Sequence, residues 1–271
     1  MNIGVIPMAA KPYHAGHHML IELAAISELT DNAESIALPV NDIVSVFISF
    51  SSRGVRVVKD PTDRRTRAAG ARTIEVPKKG EAPIFGADMR HIWNNILRPN
   101  LELPSKVQIV SPDDGGDPSP IKNVHAVCQA LKDAVDNSSE TFQAPFMGTA
   151  QTAETIISIY SDADDISSNY NDEMMSRLYG NLWLSDSAPS IRPVGISRKE
   201  TVQVSGTQMR SYLCSGDTES FMSLLPPISD EAKQQITDIL TNSITCGVPL
   251  ERRQKQQEVV RRFIKGVILT G

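Results

Sequence analysis

Two imidazoles separated by one small residue and a glycine stand in Pro12-Tyr13-His14-Ala15-Gly16-His17, where an apolar run has ended and helical spacing begins. In a chain of 271 residues with 5 His and 16 Gly, chance yields His-x-Gly-His at about the 0.5% level, so the spacing carries information. A helix start offers unpaired backbone N–H groups and partial positive charge. Gly16 lets an oxyanion approach the backbone closely, and His14 and His17 can each donate an N–H to a phosphate oxygen. The chemistry this suits is stabilisation of an α-phosphate under attack. A zinc pair is the first alternative, but it lacks the glutamate of His-Glu-x-x-His and gives Gly16 no purpose. The second is that both histidines only cap and pack the loop. His18 receives no role, and His91 and His125 fall within helical patterns that read as surface or packing positions.

A second anion site is suggested by Ser205-Gly206-Thr207-Gln208-Met209-Arg210. Small hydroxyl residues and a glycine expose N–H groups at another helix start, and Arg210 lies one turn inside, within reach of a phosphate. Alone, this pattern is also that of an ordinary N-cap with a surface arginine. Lys11 adds a charge just ahead of the first motif. Tyr160-Ser161-Asp162 closes an apolar run, and ligands of open α/β sheets bind outside the carboxyl ends of strands, so Asp162 is a candidate ribose or acceptor contact as well as a loop cap. From Arg53 to Gly80, nine basic residues face Asp60, Asp63 and Glu75, a local charge of +6. This segment reads either as a solvated insertion or as a lid that meets a phosphate-bearing substrate through residues such as Arg53. The turn Asp113-Asp114-Gly115-Gly116-Asp117-Pro118 is read as a solvated loop outside the site.

These residues need strand ends and helix starts to position them. Ile3 to Met8, Ile43 to Phe50, Val107 to Val110, Ile156 to Tyr160 and Ile191 to Ile196 have strand character. Gly16 to Leu29, Asp88 to Leu97 and Asn123 to Val135 have helical spacing. Alternation of this kind predicts an α/β fold with a doubly wound, mainly parallel sheet. After Thr207 come a helix, a Gly216-Asp217 turn, a short helix, a Pro226-Pro227 break, and a helix capped by Ser229 that runs to about Thr241. A last, basic helix is expected from near Pro249 towards Ile268. The formal charge of −5 offers no general attraction to nucleic acid or anionic lipid, and neither basic segment interleaves aromatics for base stacking, so nucleic-acid binding ranks last. No run approaches the roughly 20 apolar residues of a membrane span. Cys128, Cys214 and Cys246 suggest neither a disulfide framework nor a thiolate zinc site, and a cytoplasmic setting is expected.

Together the two motifs resemble those of the His-x-Gly-His, cytidylyltransferase-like nucleotidyltransferase superfamily, with its Rossmann-like HUP-type fold. Pro12 to His17 and Ser205-Gly206-Thr207-x-x-Arg210 look most like the motifs of archaeal-type nicotinamide mononucleotide adenylyltransferases. The layout, including Gly86-Ala87-Asp88-Met89-Arg90, Trp93, Phe221 and Leu225-Pro226-Pro227, resembles cytidylyltransferase-like proteins of tailed bacteriophages, for which the compartment would be the host cytoplasm. The resemblance implies a nucleotidyltransferase domain over 1–225, with the lid-like insertion at about 53–83 and a C-terminal helical extension over 226–271. It implies transfer of a nucleoside monophosphate from a triphosphate to a small phosphate-bearing acceptor, with release of pyrophosphate. The catalytic residues would be His14, His17 and Arg210, with Lys11, Gly16, Ser205, Gly206 and Thr207 binding the nucleotide. Mg²⁺ would arrive with the triphosphate, as no carboxylate cage is visible. Met8-Ala9-Ala10-Lys11 departs from the Gly-x-Phe of relatives. The absence of an Arg-Thr-x-Gly-Ile-Ser-Thr run favours ATP over CTP. A cytidylyltransferase and a non-catalytic nucleotide-binding or virion-associated protein are the alternatives, and a homo-oligomer is left open.

Overall fold

The computed structural model describes residues 1–9, 12–26, 39–60, 72–78, 83–197 and 204–244. Lys11, the middle of the basic insertion and the expected C-terminal helix from Pro249 lie outside the described residues. In chain order the elements begin with β1 (Asn2–Ala9), α1 (Ala15–Ile26), β2 (Ile43–Ser49), β3 (Val55–Lys59), β4 (Thr73–Pro77), α2 (Gly86–Ile92), α3 (Arg98–Asn100), β5 (Val107–Val110) and α4 (Pro120–Asp136). They continue with β6 (Thr141–Ala144), β7 (Gly148–Gln151), β8 (Ile156–Asp162), α5 (Ala163–Asn169), α6 (Asp172–Tyr179), β9 (Ser190–Ile196), α7 (Gly206–Ser215), α8 (Thr218–Ser223) and α9 (Asp230–Ser243).

The five apolar runs read as strands form one parallel sheet in the order β5-β2-β1-β8-β9. Helices flank it, a layout compatible with a Rossmann-like fold. The two-residue period of the strands divides the core. Ile6 and Met8 of β1, with Val44, Val46 and Ile48 of β2, face a cluster that holds Ile21 and Ala24 of α1, Met89 of α2 and Ile236 of α9. Ile3, Val5 and Phe47 face the opposite cluster, with Val124, Val127 and Leu131 of α4 and Met175 of α6. Since α9 packs into the same cluster as β1, the chain beyond Pro226 shares the core of the sheet as far as Ile244. Cross-strand packing of this kind also explains why the buried runs lack a polar face.

Polar latches tie the layers. Buried Asn41 donates from Nδ2 to the Ala24 carbonyl at the end of α1 (2.8 Å) and to Tyr160 Oη of β8 (2.7 Å), while the Tyr160 hydroxyl donates to the Pro39 carbonyl (3.2 Å). The basic insertion contains the antiparallel hairpin β3–β4, whose base is joined to the main body by reciprocal backbone bonds between Arg53 and Ile84. A second hairpin, β6–β7, precedes β8. Trp93 opens a π-helical segment, Trp93–Leu97, that continues α2. Cys128 is buried and free. Among the described residues, no helix is long and apolar enough to cross a membrane.

The start of α2 shows how closely backbone meets backbone beside the carboxyl end of β2. Gly86 N–H donates to Ser52 Oγ (2.8 Å), and a Cβ on Gly86 would lie 2.0 Å from the Phe50 carbonyl oxygen. Phe50 O cannot withdraw without moving the strand end. Gly86→Ala is therefore expected to cost about 2 kcal/mol or more of unfolding free energy, read from the midpoint of a urea denaturation curve.

Candidate functional site

His14 acts as the cap of α1 through its backbone. Its carbonyl accepts from the N–H groups of His17 (2.9 Å) and His18 (3.2 Å). Ala15 N–H donates to the Leu224 carbonyl at the end of α8 (2.8 Å), which fixes the helix start against the C-terminal helices. No acceptor among the described residues meets the Gly16 N–H, which lines the cleft described below. The expected open donor at a helix start is thus present at the glycine.

The two imidazoles are stacked, with ring centroids 3.8 Å apart and planes inclined by 18°. His17 Nδ1 accepts from the His14 backbone N–H (3.3 Å). A neutral imidazole whose Nδ1 accepts carries its proton on Nε2, so Nε2–H is the donor that His17 can offer a ligand. His14 Nδ1 is buried with no hydrogen-bond partner, a debt that an oxygen ligand or water at this point would settle. Burial pushes the His14 imidazole down to about 4. Burial and the neighbouring His14 hold His17 well below its ordinary value. Both rings are therefore neutral at pH 7, each with one N–H to donate.

The second motif forms as expected. Ser205 is the N-cap of α7: its hydroxyl accepts from Gln208 N–H (3.1 Å) and its carbonyl from Met209 N–H (3.0 Å). The hydroxyl expected to bind phosphate thus has a lone pair committed to the cap, while its O–H can still donate. The N–H groups of Gly206 and Thr207 meet no acceptor among the described residues. Arg210 Nη2 donates to Thr207 Oγ1 (3.1 Å), one helical turn back.

A cleft of about 300 Å³ brings the motifs together; His14, Gly16, His17, Asp162, Ser205 and Gly206 all line it. It lies where strand order reverses, between the carboxyl ends of β1 (Met8, Ala9) and β8 (Ser161, Asp162), the position at which open α/β sheets bind ligands. Thr207 and Arg210 stand next to this lining and are not part of it. Arg53 lies at the base of the β3–β4 hairpin and, like the other described residues of that insertion, lines no part of this cleft. Asp162 combines both readings: it lines the cleft and caps α5 by accepting from Asp164 N–H (2.9 Å).

Residue spacing did not reveal a second cleft of about 430 Å³, which shares Pro7, Met8, Ala9, Ser161 and Asp165 with the first. Ser49 and Ser51 at the end of β2, Ser119 at the start of α4, and Asn169 and Tyr170 at the end of α5 also line it. The rule that pointed to Asp162 applies equally to Ser49, the last residue of β2. Among the described residues lining either cleft there is no Lys or Arg, so positive potential comes from helix starts and N–H donors. No cluster of three His, Cys, Asp or Glu suited to a metal occurs among the described residues. Comparison with protein families, curated proteins and solved structures finds no match for this chain.

Buried neutral histidines make stability depend on acid. Between the unfolded value of 6.5 and the folded value of about 4 for His14, the unfolded chain binds more protons, so stability falls as pH drops through that window. The loss from His14 is expected to reach up to about 3 kcal/mol. His14→Gln should flatten the fall, measured by urea unfolding at pH 7, 6, 5 and 4.

Proposed function

We propose that the chain is a nucleotidyltransferase of the His-x-Gly-His type with a HUP-type Rossmann-like fold. Its reaction transfers a nucleoside monophosphate from a triphosphate, ATP in preference to CTP, to a small phosphate-bearing acceptor. One observation carries this reading: the stacked pair His14–His17 and the open amides of two helix starts, Gly16 and Gly206, share one cleft at the strand-order reversal. Two adjoining clefts also suit two reactants that must meet at one atom. The larger, lined by Ser49, Ser51, Ser119 and Asn169, accommodates the body of the acceptor.

In the proposed step an oxygen of the acceptor phosphate attacks the α-phosphorus in line. A new P–O bond forms, the bond to the bridging oxygen breaks, and that oxygen leaves on pyrophosphate with the electron pair. No covalent intermediate on the protein is needed. The protein supplies position and charge stabilisation. His17 donates Nε2–H to the α-phosphate, and His14 donates to the α-phosphate or the leaving oxygen. The Gly206 and Thr207 amides and the Ser205 hydroxyl hold the β- and γ-phosphates. Arg210, one turn into α7, adds charge at their outer edge, and Lys11 is proposed as a further charge for the same phosphates. Mg²⁺ enters as part of the substrate and keeps its phosphate and water ligands; Asp162 and Asp165 line the cleft. A nicotinamide mononucleotide acceptor is the leading choice within this reading.

Pyrophosphate release is to be measured with Mg²⁺, each of ATP, CTP, GTP and UTP, and a panel of phosphate acceptors headed by nicotinamide mononucleotide. The expected result is release that requires one triphosphate and one acceptor, reduced roughly 10²-fold in His17→Ala with the circular dichroism spectrum unchanged. Triphosphate binding with no release for any pair would instead favour a nucleotide-binding protein without turnover.

A further inference from the structure

Behind the histidine pair lies a chain of polar groups that the transfer chemistry does not use. The Tyr13 ring stacks on His17 (centroids 5.6 Å, planes at 28°) and meets Trp93 edge-on (5.5 Å). Its hydroxyl lies 3.4 Å from His18 Nδ1, and His18 Nε2 lies 3.4 Å from Glu22 Oε1, one turn further along α1. Tyr13 and His18 are buried, whereas Glu22 is 45% exposed. A phenol and an imidazole taken out of water need partners, and here each supplies the other's.

We infer that Tyr13, His18 and Glu22 form a hydrogen-bonded strut that fixes the ring plane of Tyr13 and, through it, the orientation of His17. His18 and Glu22 are thus positioning residues for the site. The direction of the strut follows from charge. The Glu22 carboxylate accepts a hydrogen bond and has none to donate, so His18 carries its N–H on Nε2 and keeps an Nδ1 lone pair. That lone pair accepts the Tyr13 O–H. Burial raises the Tyr13 hydroxyl far above its usual range, so it stays protonated as a donor. Burial also lowers His18, against the opposing pull of Glu22. The reverse tautomer would point an unprotonated nitrogen at a carboxylate and leave the phenolic proton without an acceptor. His17 needs such support because its Nδ1 holds a single bond, from the His14 N–H, and its useful donor, Nε2–H, must point within about 10–20° of a phosphate oxygen.

The catalytic consequence rests on the nucleotidyltransferase reading; the strut itself does not. The decisive measurement is ¹⁵N–¹H long-range correlation of the imidazoles in the unliganded protein, for wild type, Tyr13→Phe and Glu22→Gln. Tyr13→Phe keeps the ring, its stacking and the edge contact with Trp93, and removes only the hydroxyl. In wild type, His18 is expected as a single Nε2–H tautomer. In both variants His18 should move towards the averaged nitrogen shifts of a tautomer mixture, and the His17 nitrogens should move with it. In the transfer assay Tyr13→Phe should lower kcat on the order of tenfold, with KM for the triphosphate within about twofold. Unchanged His17 nitrogens in both variants, or His18 already a mixture in wild type, would overturn the strut. Responsive imidazoles in a protein that releases no pyrophosphate would support the strut and overturn the transferase reading.

Discussion

Because β1 is hydrogen-bonded in parallel to β2 on one edge and to β8 on the other, the chain must leave the two edges in opposite directions. The connection from β1 through α1 covers one face, and the connection from β5 through α4 to β8 covers the other. Helices therefore diverge at the carboxyl ends of β1 and β8, where a crevice opens that neither layer fills. Everything assigned to the site follows from that geometry. The start of α1 presents His14 and His17 at one wall, the end of β8 carries Ser161 and Asp162 to a second, and the start of α7 presents Ser205 and Gly206 at a third.

The chemistry within the crevice is governed by a balance between burial and donation. Stacked imidazoles in an apolar setting pay for their position by losing protonation, and each is then a neutral, directional donor at pH 7. With no Lys or Arg among the described lining residues, preorganised N–H groups outweigh formal charge here. Donors already fixed in place lose little energy to reorganisation as negative charge develops. On the proposed reading, rigidity of the His17 ring bears on function, and the Tyr13 ring stacked on it is part of that rigidity. Arg210 stands beside the cleft and is not part of its lining.

Much of this arrangement could be read from residue types. The five buried runs were legible because β-branched and apolar residues without a polar face fit only a sheet covered on both sides, as at Val44, Val46 and Ile48. Both motifs were legible because glycine and hydroxyl residues at helix starts leave N–H groups open, and the fold brings Gly16 and Gly206 to the same cleft. The hairpins were not legible: β3–β4 lies in a basic segment whose charge masks its alternation, and the turn of β6–β7 uses Phe146 at φ 68°, a conformation its side chain does not announce. The second cleft was missed because Ser49 and Ser51, Ser119, and Asn169 come from three separate places in the chain and are ordinary polar residues at the ends of elements. His18 was passed over because its partners, Tyr13 and Glu22, become neighbours only when α1 forms.

The central claim is that one crevice holds a triphosphate between the histidine pair and the start of α7. A crystal structure with Mg²⁺ and α,β-methylene ATP tests it most directly. The account predicts the α-phosphate within hydrogen-bond distance of His17 Nε2 and the Gly16 N–H, and the outer phosphates on the Gly206 and Thr207 amides. A triphosphate bound elsewhere, or one in the crevice that turns its base rather than its phosphates to His14 and His17, would contradict it.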